Sequence, residues 1–113
     1  MSPRASERDD HLERQIRAVA SMLTRVLGMR LHGDFAGAHA ELERARTELL
    51  GPDPRRLDRL APASAVMLLG APARARAYAD VLREEAELLA DAAAAAALRE
   101  RADAVTAAAG PTP

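Results

Sequence analysis

The sequence predicts an all-α chain, a small helical bundle of two hairpins joined by a Pro-rich segment with short helices. Apolar residues recur at spacings of three and four from Leu12 onward, and the period-2 alternation rich in Val, Ile and Thr that marks strands is absent. Ala, the strongest helix former, supplies 28 of the 113 residues. Gly33, Gly51-Pro52, Gly70 and Pro72 fall in the gaps between periodic stretches, where they stop helices instead of interrupting them.

The first helix is expected over residues 7–32. Leu12, Ile16, Val19, Ala20, Leu23, Val26, Leu27 and Leu31 share one broad face, as a core-facing helix requires. Gly33 stops it, and Asp34 caps the next helix by accepting a bond from an exposed backbone N–H. That second helix, residues 35–50, carries Phe35, Ala38, Leu42, Ala45 and Leu49 on one side. So short a connection folds it back antiparallel against the first. Gly51 and Pro52 end it. Asp53 followed by Pro54 has the form of an N-cap with Pro at the first helical position, and short helices follow at residues 55–60 and 63–69.

From residue 73 a long helical segment carries Tyr78, Leu82, Ala86 and Leu89 in register. Propensity alone would continue it through residue 109, a helix of about 55 Å at 1.5 Å per residue, whose far half has nothing to pack on. A turn at Ala90 and Asp91 is therefore expected, with Asp91 capping a last helix that faces Leu98, Ala102 and Val105 inward. Gly110 ends it. Residues 1–8 read as a disordered tail, 9–109 as one domain and 110–113 as a frayed end.

Composition bounds what the chain does. Leu, Ile, Val and Phe total only 22 residues, but a net charge of −1 keeps the chain out of the disordered class. The same near-neutrality argues against nucleic acid as a partner, since a basic domain is the usual footprint. With no Cys there are no disulfides, thiolate metal sites or Cys nucleophiles. The start of the chain is polar and lacks a secretory apolar segment, and the longest apolar run, residues 92–98, is far short of the ~18 residues a membrane span needs. A cytoplasmic protein without a membrane partner is expected.

The run Gly33-Asp34-Phe35-Ala36-Gly37-Ala38, followed by Leu42 and Ala45, resembles the inter-helix turn and second helix of a tetratricopeptide repeat. Small residues at Ala38 and Ala45 let two helices approach closely, while Phe35 and Leu42 fill the remaining gap. The first helix departs from the repeat in carrying Val26 where the repeat has a small residue, and in its length. Ala90-Asp91 and the segment Leu98-Arg99-Glu100-Arg101-Ala102 resemble a degenerate second copy. Over residues 12–105 the chain is similar to small bacterial helical proteins of unknown function with tetratricopeptide-like hairpins. The resemblance implies two such hairpins and a protein-binding habit, with no catalytic residues to carry over. Two hairpins are fewer than a repeat array needs for a continuous core, so they must close on each other or dimerise.

No catalytic, cofactor-binding or metal-binding residues are expected. His32 and His39 flank the Gly33-Asp34 turn, where Asp34 or Glu41 would complete a ligand set, but isolated turn histidines are the simpler reading. No His-Glu-x-x-His or Glu-x-x-His pattern and no Gly-x-Ser-x-Gly elbow occurs, and Gly28 and Gly33 follow no strand that would make a phosphate cradle.

Charge placement says more. Arg14, Arg17 and Arg25 lie opposite the apolar stripe of the first helix, either as a solvated face or as a dock for an anionic ligand. Met22 and Met29 sit at one edge of that stripe, as core filler or as an adaptable strip for a partner. Arg30 and Glu85 fall where the helical wheel wants apolar groups; a buried ion pair between them is expected, or another opposite charge for each, with Arg46 the alternative for Glu85. A homodimer would cover an apolar strip marked by Met22, Met29, Val81 and Leu88. The sequence thus points to a noncatalytic, self-associating protein-protein interaction module. The alternative is a small regulatory protein that binds an anionic ligand or nucleic acid through the Arg face.

Overall fold

Helix begins before the apolar periodicity does. In the computed structural model, which describes residues 3–111, α1 spans Pro3–Leu31. Of the tail expected at 1–8, residues 3–8 are therefore helical, and Met1 and Ser2 lie outside the described residues. Pro suits the first helical position because its missing N–H has no intrahelical partner there and its φ is already set. α2 (Phe35–Leu50), a 3-10 turn (Arg56–Arg59), α3 (Pro62–Leu69), α4 (Pro72–Leu88) and α5 (Ala92–Ala109) follow, and every regular element among the described residues is helical.

The α1–α2 reversal has the expected chemistry. Gly33 takes φ +79°, a left-handed conformation that costs glycine little. Asp34 then accepts a bond from the Gly37 amide at 2.9 Å. Arg25 sits against Glu41, and Gln15 Nε2 donates to the Glu48 carbonyl at 2.7 Å, so α1 and α2 run antiparallel.

At the far end Leu89 is extended, and Asp91 caps α5 by accepting from the Ala93 amide at 3.0 Å. Arg83 reaches Asp103 at 3.1 Å and Arg99 reaches Glu87 at 3.3 Å, which makes α4 and α5 antiparallel as well. Arg76 donates to the Pro111 carbonyl at 3.1 Å, so residues 110–111 are tied to α4; Thr112 and Pro113 lie outside the described residues.

α1 and α4 lie side by side and parallel. Arg74 Nε donates to Gln15 Oε1 at 2.6 Å near their starts, and Arg30 meets Glu84 at 3.8 Å near their ends. The core between the helices joins Val19 and Val26 to Leu42, Leu57, Tyr78, Val81, Leu82 and Val105. Buried Ala38, Ala45, Ala75, Ala79 and Ala102 let the backbones approach closely.

The phase of α1 differs from the expectation. Its buried centre is Val19 and Val26, and Met22 and Met29 pack against the core instead of forming an exposed strip. Leu27 and Leu31, on the opposite margin of the stripe, are left uncovered. The apolar face is wider than the arc its two neighbours cover, and packing on α2 turns it toward the methionines. Phe35, expected between the helices, also faces outward.

Candidate interaction surface

The uncovered margin of α1 borders a groove. Three adjoining depressions of about 350, 260 and 340 Å³ follow the α1–α4 seam, sharing Ile16 and Ala73, then Leu23 and Asp80. The α1 wall is mostly apolar, from Leu12 through Ile16, Ala20 and Leu23 to Leu27, with Glu13 and Arg17 at its start and Thr24 near its end. The α4 wall alternates small Ala73 and Ala77 with Arg76, then becomes charged at Asp80, Arg83 and Glu84. Leu27, exposed by 40 %, lines the charged end itself, and Leu31 and Phe35, exposed by 71 and 53 %, follow it along the chain. This arrangement can take up apolar side chains at one end and offers its own at the other.

The Arg face has a different character. Arg14 is exposed. Arg17 is also exposed and lies 3.8 Å from Glu13. Arg25 is engaged with the buried Glu41 at 3.3 Å, so it serves the α1–α2 contact. The three do not form one free cationic cluster. His32 Nδ1 lies 2.8 Å from the Gly28 carbonyl at the end of α1, while His39 is exposed on α2.

Arg30 and Glu85 do not pair with each other. Arg30 lies between Glu84 and Glu87, at 3.8 and 3.9 Å, near the groove's charged end. Glu85 points the other way, to Arg46 and Arg55. α4 presents different faces to α1 and α2, and one residue along a helix is a turn of about 100°, so neighbouring glutamates serve different partners.

The network around Arg46 was not legible as a whole. Arg46 is fully buried, bonds Glu85, and reaches Asp58 of the 3-10 turn at 2.8 Å. Tyr78 donates its hydroxyl to the same Asp58 oxygen at 2.6 Å, and Arg101 Nε donates to the Tyr78 oxygen at 3.1 Å. The Arg46 and Arg101 guanidinium carbons lie 6.0 and 5.7 Å from the Tyr78 ring centroid, so both cations face the ring. Arg101 also bonds the Leu57 carbonyl. Burial, and then the bond to Asp58, push Tyr78 up to about 12 against the opposing effect of Arg101. α2, the 3-10 turn, α4 and α5 are thus tied at one polar centre, whose role is to lock the helices. Asp58 carried no periodic or motif signal that could have marked it.

Comparison with protein-family models, curated proteins and solved structures finds no match to this chain. Among the described residues, no helix is long and apolar enough to cross a membrane, and no group of three or more His, Cys, Asp or Glu is placed to hold a metal ion.

Proposed function

We propose that this chain is a noncatalytic protein-protein interaction module, built from two tetratricopeptide-like hairpins, and that it associates with itself through the α1–α4 face. The observation that carries the reading is the placement of Leu27, Leu31 and Phe35 outside the core, with Leu27 lining the α1–α4 groove. Apolar side chains gathered on one face favour burial against another protein. The two antiparallel helix pairs and the capped Gly33-Asp34 turn support the repeat-like architecture.

The anion-binding reading has weaker support, because Arg25 is engaged by Glu41 and Arg17 lies beside Glu13. Sedimentation of the full chain at low and high salt, with and without nucleic acid and anionic vesicles, separates the two. Self-association that changes little with salt is the expected result. A salt-sensitive complex with either anionic probe, and no self-association, would favour the alternative.

A further inference from the structure

We propose that the polar centre of the bundle is a carboxylate-binding site, which the chain fills with its own Asp58 on a segment that an external carboxylate displaces. The groups that hold the carboxylate come from three long helices. Arg46 of α2 and Tyr78 of α4 both donate to Asp58 Oδ1, at 2.8 and 2.6 Å, and both side chains are fully buried. Arg101 of α5 donates to the Tyr78 oxygen at 3.1 Å and to the Leu57 carbonyl, so it orients the hydroxyl and holds the backbone beside the carboxylate. Donors converging on one oxygen, with cations fixed in a water-poor interior, select an anion over a neutral group. Arg46 Nε is also buried and has no hydrogen-bond partner among the described residues, so the chain leaves part of this guanidinium's donor capacity unused.

The occupant is held less firmly than its site. Among residues 51–61 only Leu57 is buried, and the Asp58 side chain is 28 % exposed. Asp53, Arg56 and Arg59 face solvent, with Arg59 paired to Asp53 of the same segment at 2.9 Å. Apart from Leu57 and Asp58, the segment's side-chain bonds to the helices are those of Arg55, to Glu43 and Glu85. Lifting it uncovers one leucine and leaves the contacts between the long helices in place, which makes the opening local. Charge favours a replacement anion as well. Without Asp58, Arg46, Arg55 and Arg101 face only Glu43 and Glu85, one negative charge short, and an incoming carboxylate restores the balance. A small carboxylate solute and an acidic side chain of another protein share this chemistry.

Acetate replacing chloride at constant ionic strength, at about pH 7, is expected to raise the thermal midpoint of Asp58→Ala saturably, and by more than that of wild type. Adding Tyr78→Phe should weaken the acetate response at least roughly threefold. A Leu-Asp dipeptide blocked at both ends distinguishes the sources: half-saturation at least roughly tenfold below that of acetate marks a protein side chain, and equal half-saturation a small solute. Native-state hydrogen exchange tests the wild-type chain directly. The Arg56, Asp58 and Leu60 amides, each bonded within the segment, should open below the global unfolding free energy. Acetate at roughly 0.5 M should at least double their exchange relative to chloride, with helix amides unaffected. An Asp58→Ala chain that folds and responds to acetate no more than wild type does would overturn the site. If that variant fails to fold, wild-type segment amides that exchange only through global unfolding, or equally in acetate and chloride, would overturn it in the same way.

Discussion

Arg46 is the largest side chain that the core closes over completely, in a chain with one Phe, one Tyr and no Trp. Where aromatic volume is scarce, a guanidinium against the Tyr78 ring fills space that a second aromatic would otherwise take. Its charge is matched by Glu85 and Asp58, and removing one side of such a set strands the other. Arg46→Met is therefore expected to lower unfolding free energy by about 3–5 kcal/mol, and Arg46→Met with Glu85→Leu by less than the sum of the single changes, as urea denaturation would show. Burial alone would raise the Asp58 carboxyl, but the Tyr78 hydroxyl, the Arg46 charge and bonds from Arg55 and Arg46 hold it below its ordinary value. A carboxyl with a depressed folded pKa contributes stability above the ordinary carboxylate range, and that contribution is lost as pH falls through the folded value. The urea midpoint should accordingly drop between about pH 4 and lower pH, and Asp58→Asn should flatten that acid limb while lowering stability near neutrality. The sequence marked Glu85 as a charge needing a partner and offered Arg46. It could not reveal Asp58, because the course of the 3-10 turn over Tyr78 depends on contacts between distant segments.

The connections between helices show most clearly how local chemistry works here. Gly33 and Asp34 reverse the chain by backbone conformation and a side-chain cap, both readable from neighbouring residues. Gly37 adds a feature that propensity alone misses: a Cβ there would overlap the Asp34 carboxylate, whose Cγ is at 2.7 Å. Gly→Ala in a helix ordinarily gains up to about 1 kcal/mol, but here the Ala methyl displaces a cap of similar worth. Gly37→Ala should thus leave the thermal midpoint nearly unchanged, whereas the same change in an Asp34→Ala background should raise stability by about 1 kcal/mol. At Leu89 and Asp91 the break defeats the strong helix preference of the Ala run that follows. Reversal brings Ala95, Ala102 and Val105 into burial and Arg101 to Tyr78, contacts that a straight continuation would forfeit. For α1 the wheel identified the apolar face but not its centre, since only the positions of α2 and α4 select which arc of a wide stripe is covered.

At the scale of the whole molecule, an Ala-rich core packs backbones closely yet supplies few large apolar contacts, and a ring of ion pairs supplements it. The core leaves Leu27, Leu31 and Phe35 outside on one side and Met67 and Leu68 of α3 outside elsewhere, and the first three carry the proposed self-association. A dimer that binds only folded chains should make the thermal midpoint rise with protein concentration, by an amount set by mass action. Calorimetry over roughly a hundredfold concentration range should show this rise, and Leu31→Lys should reduce it without lowering the midpoint of the dilute protein. Periodicity, caps and helix stops were enough to establish an all-helical chain, the reversals at Gly33 and Asp91, and the residues available for a core, because these follow from neighbours within a few positions along the chain. Which margin of α1 is covered, why Glu84 and Glu85 turn to different arginines, and how Asp58 joins Tyr78 and Arg46 were settled by the packed helices, because those choices depend on segments dozens of residues apart competing for the same space.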